Sequence, residues 1–211
     1  MARPRHVLLT TERIVEAAAA LVDDEGLEAV SVRRLATELG VAGPSLYHHF
    51  ATKAEILDAV ADAVIAQVDT SAFGETDWAK ALRLWAQSYH AVLSAHPNIV
   101  PVLAQGPGRR PAALAMADTV YGALIDAGWS PPRAVHIGAL MKYLVTGSAL
   151  GSFALGFPDD PRLYERFPNL RHAHLLAERR ECVDEGAFDL GLETVLAGLD
   201  NLLSSRTGRS P

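Results

Sequence analysis

The chain has 211 residues, 49% of them apolar and 21% charged, with a formal net charge of −6. At about 150 residues per domain this is one or two domains with enough apolar content for a buried core, which excludes a solvated disordered chain, a collagen-like fibre and a low-complexity polymer. A single cysteine, Cys182, excludes an intramolecular disulfide framework and a four-thiolate zinc site, and fits a reducing compartment.

The apolar run Val7-Leu8-Leu9 ends at Thr10, too short for the core of a secretion signal, so a cytoplasmic location is expected. From there helix signals follow one another. Thr10 or Thr11 caps a first helix in which Ile14, Ala17, Ala18, Leu21 and Val22 recur at spacings of three and four, and Gly26 stops it. Ser31 caps a second, short helix with Val32, Leu35, Ala36 and Leu39 as its apolar stripe, closed by Gly40. Pro44 suits the first turn of a third helix, Gly43 to His49, where its missing N–H has no partner to lose, and Leu46 and Phe50 face inward. Thr52 caps a fourth helix, a connector, with Ile56, Leu57, Val60, Ala63, Val64 and Val68 on one face.

After a link at Ser71–Thr76, further helices are expected at Asp77–Ala95, Asn98–Gln105, Pro111–Ala127 and Pro131–Leu155. The proline-bearing stretch Gly156–Asn169 should be poor in helix, and two helices, Leu170–Glu185 and Phe188–Ser205, precede a frayed tail at Thr207–Pro211. No alternating run invites a sheet and no fixed repeat is present, so the fold class is all-α. The apolar stretch Gly138–Phe157 contains Lys142 and is diluted by Gly147, Ser148, Gly151 and Ser152, which reads as a buried helix rather than a membrane span.

Residues 1–53 carry six bases (Arg3, Arg5, Arg13, Arg33, Arg34, Lys53) against seven acids, a net of −1, while the remainder carries −5. Four of those acids lie between Asp23 and Glu28, so a basic face survives on this segment if that cluster points away from it. Two short helices joined by a tight glycine turn and preceded by a longer helix form a helix-turn-helix arrangement, whose second short helix enters the major groove of DNA. Ala36 is small where the helices approach, Gly40 permits a left-handed turn, and Val41 fills the space between them. The third helix then presents Pro44, Ser45, Tyr47, His48 and His49 outward.

The stretch Val32-Arg-Arg-Leu-Ala-Thr-Glu-Leu-Gly-Val-Ala-Gly-Pro-Ser-Leu-Tyr-His-His-Phe-Ala-Thr-Lys-Ala-Glu-Ile-Leu resembles the tetracycline-repressor (TetR) family of transcriptional regulators, closely over residues 10–60. The region Trp78–Gly106 also looks like the C-terminal domain of the tetracycline-type branch. The resemblance implies a helix-turn-helix DNA-binding domain at 1–53 and a helical ligand-binding and dimerisation domain at 54–211. Its base-reading positions fall on Arg33, Gly43, Pro44 and Ser45. Its phosphate contacts fall on Tyr47, His49, Thr52 and Lys53, with His48 shared between the two roles. The chemistry agrees: Arg33 can fork onto guanine, Pro44 can pack on a thymine methyl, and Lys53 neutralises phosphate beside a helix N-terminus. The implied partners are a double-stranded operator, a small-molecule effector and a second copy of the chain, with no membrane.

The tetracycline-binding branch carries a histidine in the second half of the fourth helix, where this sequence has Val68, which argues against tetracycline with Mg²⁺ and for an apolar or aromatic effector. No cofactor is expected. The effector residues expected are Trp85, Tyr89, Met116 and Met141, although Trp78, Trp85 and Tyr89 recur at helical spacing and equally suit a core stripe. No metal site is expected, since His172 and His174 are badly spaced for one helix face and His90, His96 and His136 lack nearby carboxylates in sequence. The run Gly147-Ser-Ala-Leu-Gly151 has the wrong spacing for a nucleophile elbow, and Gly106-Pro-Gly108 fails as a dinucleotide loop. The rival reading is a helical binding protein or enzyme with a vestigial helix-turn-helix. For the dimer, Gly147 and Gly151 are expected to permit close approach, with Leu155, Leu192 and Leu199 in a four-helix contact.

Overall fold

The computed structural model describes residues 8–104, 106 and 108–207. Arg3, Arg5, Gln105, Pro107 and the tail 208–211 lie outside the described residues. Among the described residues the chain is helical with no strand, only one isolated bridge between Phe73 and Thr76, as its helical periodicity implied.

Among the described residues nine α-helices run in chain order: α1 (Thr11–Glu25), α2 (Val32–Leu39), α3 (Gly43–Leu46), α4 (Lys53–Ile65), α5 (Trp78–Ala95), α6 (Val100–Leu103), α7 (Pro111–Asp126), α8 (Pro131–Ala149) and α9 (Arg180–Thr207). They divide into two compact units. The first takes the chain up to Gln67 together with Ala95–Ala115, and the second takes Val68–Ser94 with Met116 onward.

In the first unit three hydroxyls start three helices. Thr10 accepts from the Arg13 N–H, Ser31 from Arg34 and Thr52 from Glu55, at 3.2–3.3 Å, each matching a donor the helix itself leaves open. Gly40 closes α2 at φ +66°, a left-handed value that only glycine adopts without strain. The core of this unit is Ile14, Ala18 and Val22 from α1, Leu35 from α2, Leu46 from α3 and Ile56, Val60, Ala61 and Val64 from α4, all at most 2% exposed. Ile99, Val100 and Leu103, equally buried, join it from the segment around α6.

The helix expected at 98–105 is reduced to a 3₁₀ turn, Pro97–Ile99, and the single turn α6. Pro101 has no N–H to give to the carbonyl four residues back, so no helix can run through from Pro97. α3 likewise ends at Leu46 rather than His49. The N–H groups of His49 and Phe50 both turn onto the Leu46 carbonyl at 3.0 Å, which ends the helix in a tight turn.

In the second unit α8 packs on α9. α8 stops at Ala149 instead of Leu155, because the Asp184 carboxylate accepts from the N–H groups of Phe153 and Ala154 at 3.1 and 3.3 Å and draws the chain off the helix path. The two expected C-terminal helices are one. Gly186 lies inside α9, and the buried stripe Phe188, Leu192, Leu196 and Leu199 outweighs the roughly 1 kcal/mol that a helical glycine costs. Residues 170–179 form only short 3₁₀ turns, as Ala173 is their one buried side chain. No helix of the described residues is long and apolar enough to cross a membrane.

Two helical glycines make opposite predictions. A Cβ on Gly138 of α8 would collide with the Tyr121 ring of α7, whereas a Cβ on Gly122 of α7 meets nothing within 4 Å. Gly138→Ala should lower stability by about 1–3 kcal/mol through overpacking, and Gly122→Ala should raise it by roughly 0.4–1 kcal/mol. Thermal unfolding of the two variants against the wild type reads both signs.

Candidate nucleic-acid interface and effector site

The face expected to read DNA is laid out by two inward residues, one ending α3 and one just beyond it. Leu46 (1% exposed) and Phe50 (9%) enter the core, so the side chains around them are forced outward. Pro44, Tyr47, His48 and His49 are exposed, and Gly43 and Ser45 are half-buried at the start of α3. Tyr47 is 58% exposed, unusual for so large a side chain without a partner to cover it. Arg33 projects from α2 into solvent. His49 Nδ1 lies 3.2 Å from the Thr11 hydroxyl, which ties the end of this turn to the first residue of α1.

Thr52 is exposed and its oxygen is occupied as the cap of α4, which leaves its O–H free to donate. The Glu55 carboxylate accepts from the Ala51 N–H at 2.7 Å, fixing the chain just before α4 from the other side. Near the start of α1, Glu12 is held below the usual carboxylate range by hydrogen bonds from the backbone and the Thr10 hydroxyl, with a smaller pull from His49.

The acidic cluster does not point away as a block. Asp23 faces His96 at 2.9 Å, Glu25 pairs with Arg34 at 2.8 Å, and Glu28 reaches Lys53 at 3.5 Å. Lys53 is therefore part-neutralised, by a carboxylate that is itself fully exposed. Arg33 has no such partner among the described residues.

The residues expected to hold an effector all fall in the second unit. Trp85 and Tyr89 are one turn apart on α5, their ring centroids 5.8 Å apart, and Phe73 joins them at 6.4 Å from Trp85. Trp85, Tyr89 and Met141 of α8 are at most 3% exposed, and Met116 of α7 is half-buried. The Trp85 indole N–H is buried and has no hydrogen-bond partner, a state it shares with Trp129 Nε1 and His174 Nδ1. Phe73 carries no sequence signal for this place, because only the fold brings its ring beside Trp85. Val68 is buried in the turn after α4. Among the described residues no group of three or more His, Cys, Asp or Glu side chains could hold a metal ion.

Of the expected dimer residues, Gly147, Gly151 and Leu155 are exposed, Leu155 by 56%. Leu192 and Leu199 are not available. They are 1% and 6% exposed because they form the inward stripe of α9. The outward apolar residues of that helix are Leu190 (70%) and Leu202 (52%), and those of α8 include Tyr143 (70%).

The sequence matches two family descriptions, "Bacterial regulatory proteins, tetR family" over residues 14–60 and "Tetracyclin repressor-like, C-terminal domain" over residues 71–203. The chain belongs to the tetR family. It is 30% identical to the HTH-type transcriptional repressor DrrR1 of Streptomyces coeruleorubidus, over 96% of this chain and 81% of the relative. It is also 30% identical to the class C tetracycline repressor protein of Escherichia coli, over 92% of each. Among solved structures, ActR of Streptomyces coelicolor in complex with actinorhodin superposes with a TM-score of 0.75 at 30% identity, covering 93% of this chain and 99% of that one. The chain is thus a ligand-responsive, DNA-binding transcriptional repressor, a reading favoured over a binding protein or enzyme with a vestigial helix-turn-helix.

The Lys53–Glu28 pair generates a test. Glu28→Gln should tighten DNA of any sequence by ~2–5-fold at low salt, the worth of one exposed ion pair, while Lys53→Ala should weaken all sequences alike and flatten the salt slope by about one unit. Fluorescence anisotropy over a salt series with two unrelated duplexes reads both effects.

Proposed function

We propose that the chain works as a cytoplasmic homodimer that grips a palindromic operator and releases it when a small apolar or aromatic molecule enters the second unit. Residues 1–53 act as the DNA-reading domain and 54–211 as the effector and dimerisation domain, with α4 connecting them. Arg33, Gly43, Pro44 and Ser45 read bases. Tyr47, His49, Thr52 and Lys53 hold phosphates, and His48 serves either. Trp85, Tyr89, Met116 and Met141 hold the effector.

The single observation that carries the effector half is the unmatched Trp85 indole N–H. Burying such a donor unpaired costs about 1–3 kcal/mol, and a ligand that offers an acceptor beside an aromatic surface recovers it. The solved structure of ActR in complex with actinorhodin, an aromatic molecule, supports an aromatic ligand class here. Val68 in place of a histidine supports binding without a metal ion. For coupling, the effector must favour the released state by about 1–3 kcal/mol, transmitted as a shift of α4 that alters the spacing of the two α3 helices.

The dimer half rests on exposed apolar surface. A groove of about 360 Å³ runs between α8 and α9, walled by Tyr143, Leu144, Gly147, Gly151, Phe153 and Phe188. Gly147 and Gly151 have no neighbour within 4 Å of a built Cβ, which leaves room for a partner helix. Leu155, Leu190 and Leu202 extend the contact, taking the place of Leu192 and Leu199. A twofold dimer then requires half-sites roughly 34–36 Å apart or a multiple of that.

Gly147→Glu and Tyr143→Glu place a charge on this face without touching the α8–α9 core. Each should give a monomer by sedimentation, retain helical circular dichroism and lose palindrome binding by roughly 10²-fold, the loss of a second half-site. A wild-type monomer that binds the palindrome tightly, or variants that stay dimeric, would contradict the arrangement.

A further inference from the structure

The link between α4 and α5 is a built turn. The N–H groups of Phe73, Glu75 and Thr76 donate to the carbonyls of Thr70 and Ala72 at 3.1–3.3 Å, and Gly74 carries the chain round at φ +97°. This turn faces α7 of the same unit across a cavity of about 610 Å³, within the roughly 300–1,000 Å³ of small-molecule sites. Phe73, Trp78 and Ala81 wall the cavity on one side, and Gly122, Ala123 and Ala127 of α7 on the other. A Cβ on Gly122 meets nothing within 4 Å, so the α7 wall is open there. Trp78 is half-buried and is braced edge-on, ring centroids 6.0 Å apart, by Trp129, a buried residue outside the lining.

Three carboxylates complete the lining, and it contains no Lys, Arg or His. Asp118 and Asp126 lie one turn to either side of Gly122 on α7, about 12 Å apart along the helix axis. Across the cavity, Asp77 uses Oδ1 to accept from the N–H groups of Ala79 and Lys80 at 3.1 and 3.0 Å, which leaves Oδ2 for a ligand. Among the described residues none of the three is in an ion pair. Aromatic walls take a flat apolar body, and ring faces and carboxylates both attract a cation. The same rim repels an anion. A bare metal ion is a poor fit, since its oxygen ligands must close on it from several sides and these carboxylates are spread apart.

We propose that this cavity is a second ligand site, distinct from Trp85 and Tyr89, that takes a planar aromatic cation, its rings against Phe73, Trp78 and Gly122 and its charge toward Asp118 and Asp126. The two sites adjoin at Phe73, whose ring centroid is 6.4 Å from that of Trp85. The cation site needs neither DNA nor the effector role of Trp85, because it stands on the shape of the cavity and the charge of its rim.

Three tricyclic probes of similar shape separate charge from area at mildly alkaline pH: 10-methylacridinium, a cation; acridine, neutral under those conditions; and anthracene-9-carboxylate, an anion. Isothermal titration of the full chain should give one site for 10-methylacridinium, at least about tenfold tighter than acridine and weakening as salt rises, with anthracene-9-carboxylate excluded from it. Asp118→Asn together with Asp126→Asn should bring the cation to within about twofold of acridine, since the amides keep the shape and lose the charge. Asp77 is left in place because it caps α5. Gly122→Leu puts a good helix former on α7 that fills the open wall, and should weaken cation and neutral probe alike by at least about tenfold. Wild-type circular dichroism in these variants confines the effect to the site. Absence of cation binding, a cation preference that survives the paired asparagines, or an affinity that falls with Trp85→Phe and not with Gly122→Leu overturns the proposal, and the last of these puts the cation among the effector residues.

Discussion

The burial of Leu46 and Phe50 is what the DNA-facing half of the molecule depends on. α3 is a single turn of four residues, far below the length at which a helix holds itself together in water, so its position comes wholly from what it packs against. Leu46 and Phe50 sink into the core formed by α1, α2 and α4, and the residues between and before them have nowhere to go but out. Pro44, Tyr47, His48 and His49 are a surface because their two neighbours are a core.

The same economy governs charge. A protein with net −6 binds a polyanion only if its acids are held off the contact face. Here Asp23 and Glu25 are engaged with His96 and Arg34, which leaves Arg33 unopposed. Glu28 is the exception, paired with Lys53 at 3.5 Å; with Lys53 on a phosphate as proposed, it should trim affinity for all DNA alike. The acids of α4 have a different task. Asp58 and Asp62 face Arg110 and the start of α7, so the connector is bonded by its polar side as well as packed by its apolar one.

Features set by near neighbours along the chain are legible in the residues themselves. Ser31 and Thr52 announce the caps they become, the first cap is narrowed to Thr10 or Thr11, Gly40 announces its left-handed turn, and the order of residues from Val32 to Leu57 carries the family. Features set by balance over distance are not legible in that way. Gly186 has the pattern of a stop and is overridden by four buried side chains on one stripe of α9. Leu192 and Leu199 read as a face needing a partner, yet α9 turns them inward and exposes Leu190 and Leu202 instead. Asn98 meets Val22, and Asp62 meets Ala112, across some 76 and 50 residues of chain, spacings that no local pattern encodes. The unmatched Trp85 N–H is a property of an environment, and a tryptophan at helical spacing looks the same with or without it.

The most direct measurement of the account is release of DNA by a ligand that touches Trp85. A panel of aromatic and apolar compounds is titrated against the full-length chain in metal-free buffer, with tryptophan fluorescence reporting binding and anisotropy of a labelled, pool-selected palindrome reporting release. A compound which quenches the fluorescence should also lower DNA affinity about 5–150-fold, and Trp85→Phe should weaken both effects together. Quenching that leaves DNA affinity unchanged, or release that requires Mg²⁺ and survives Trp85→Phe intact, would contradict this coupling.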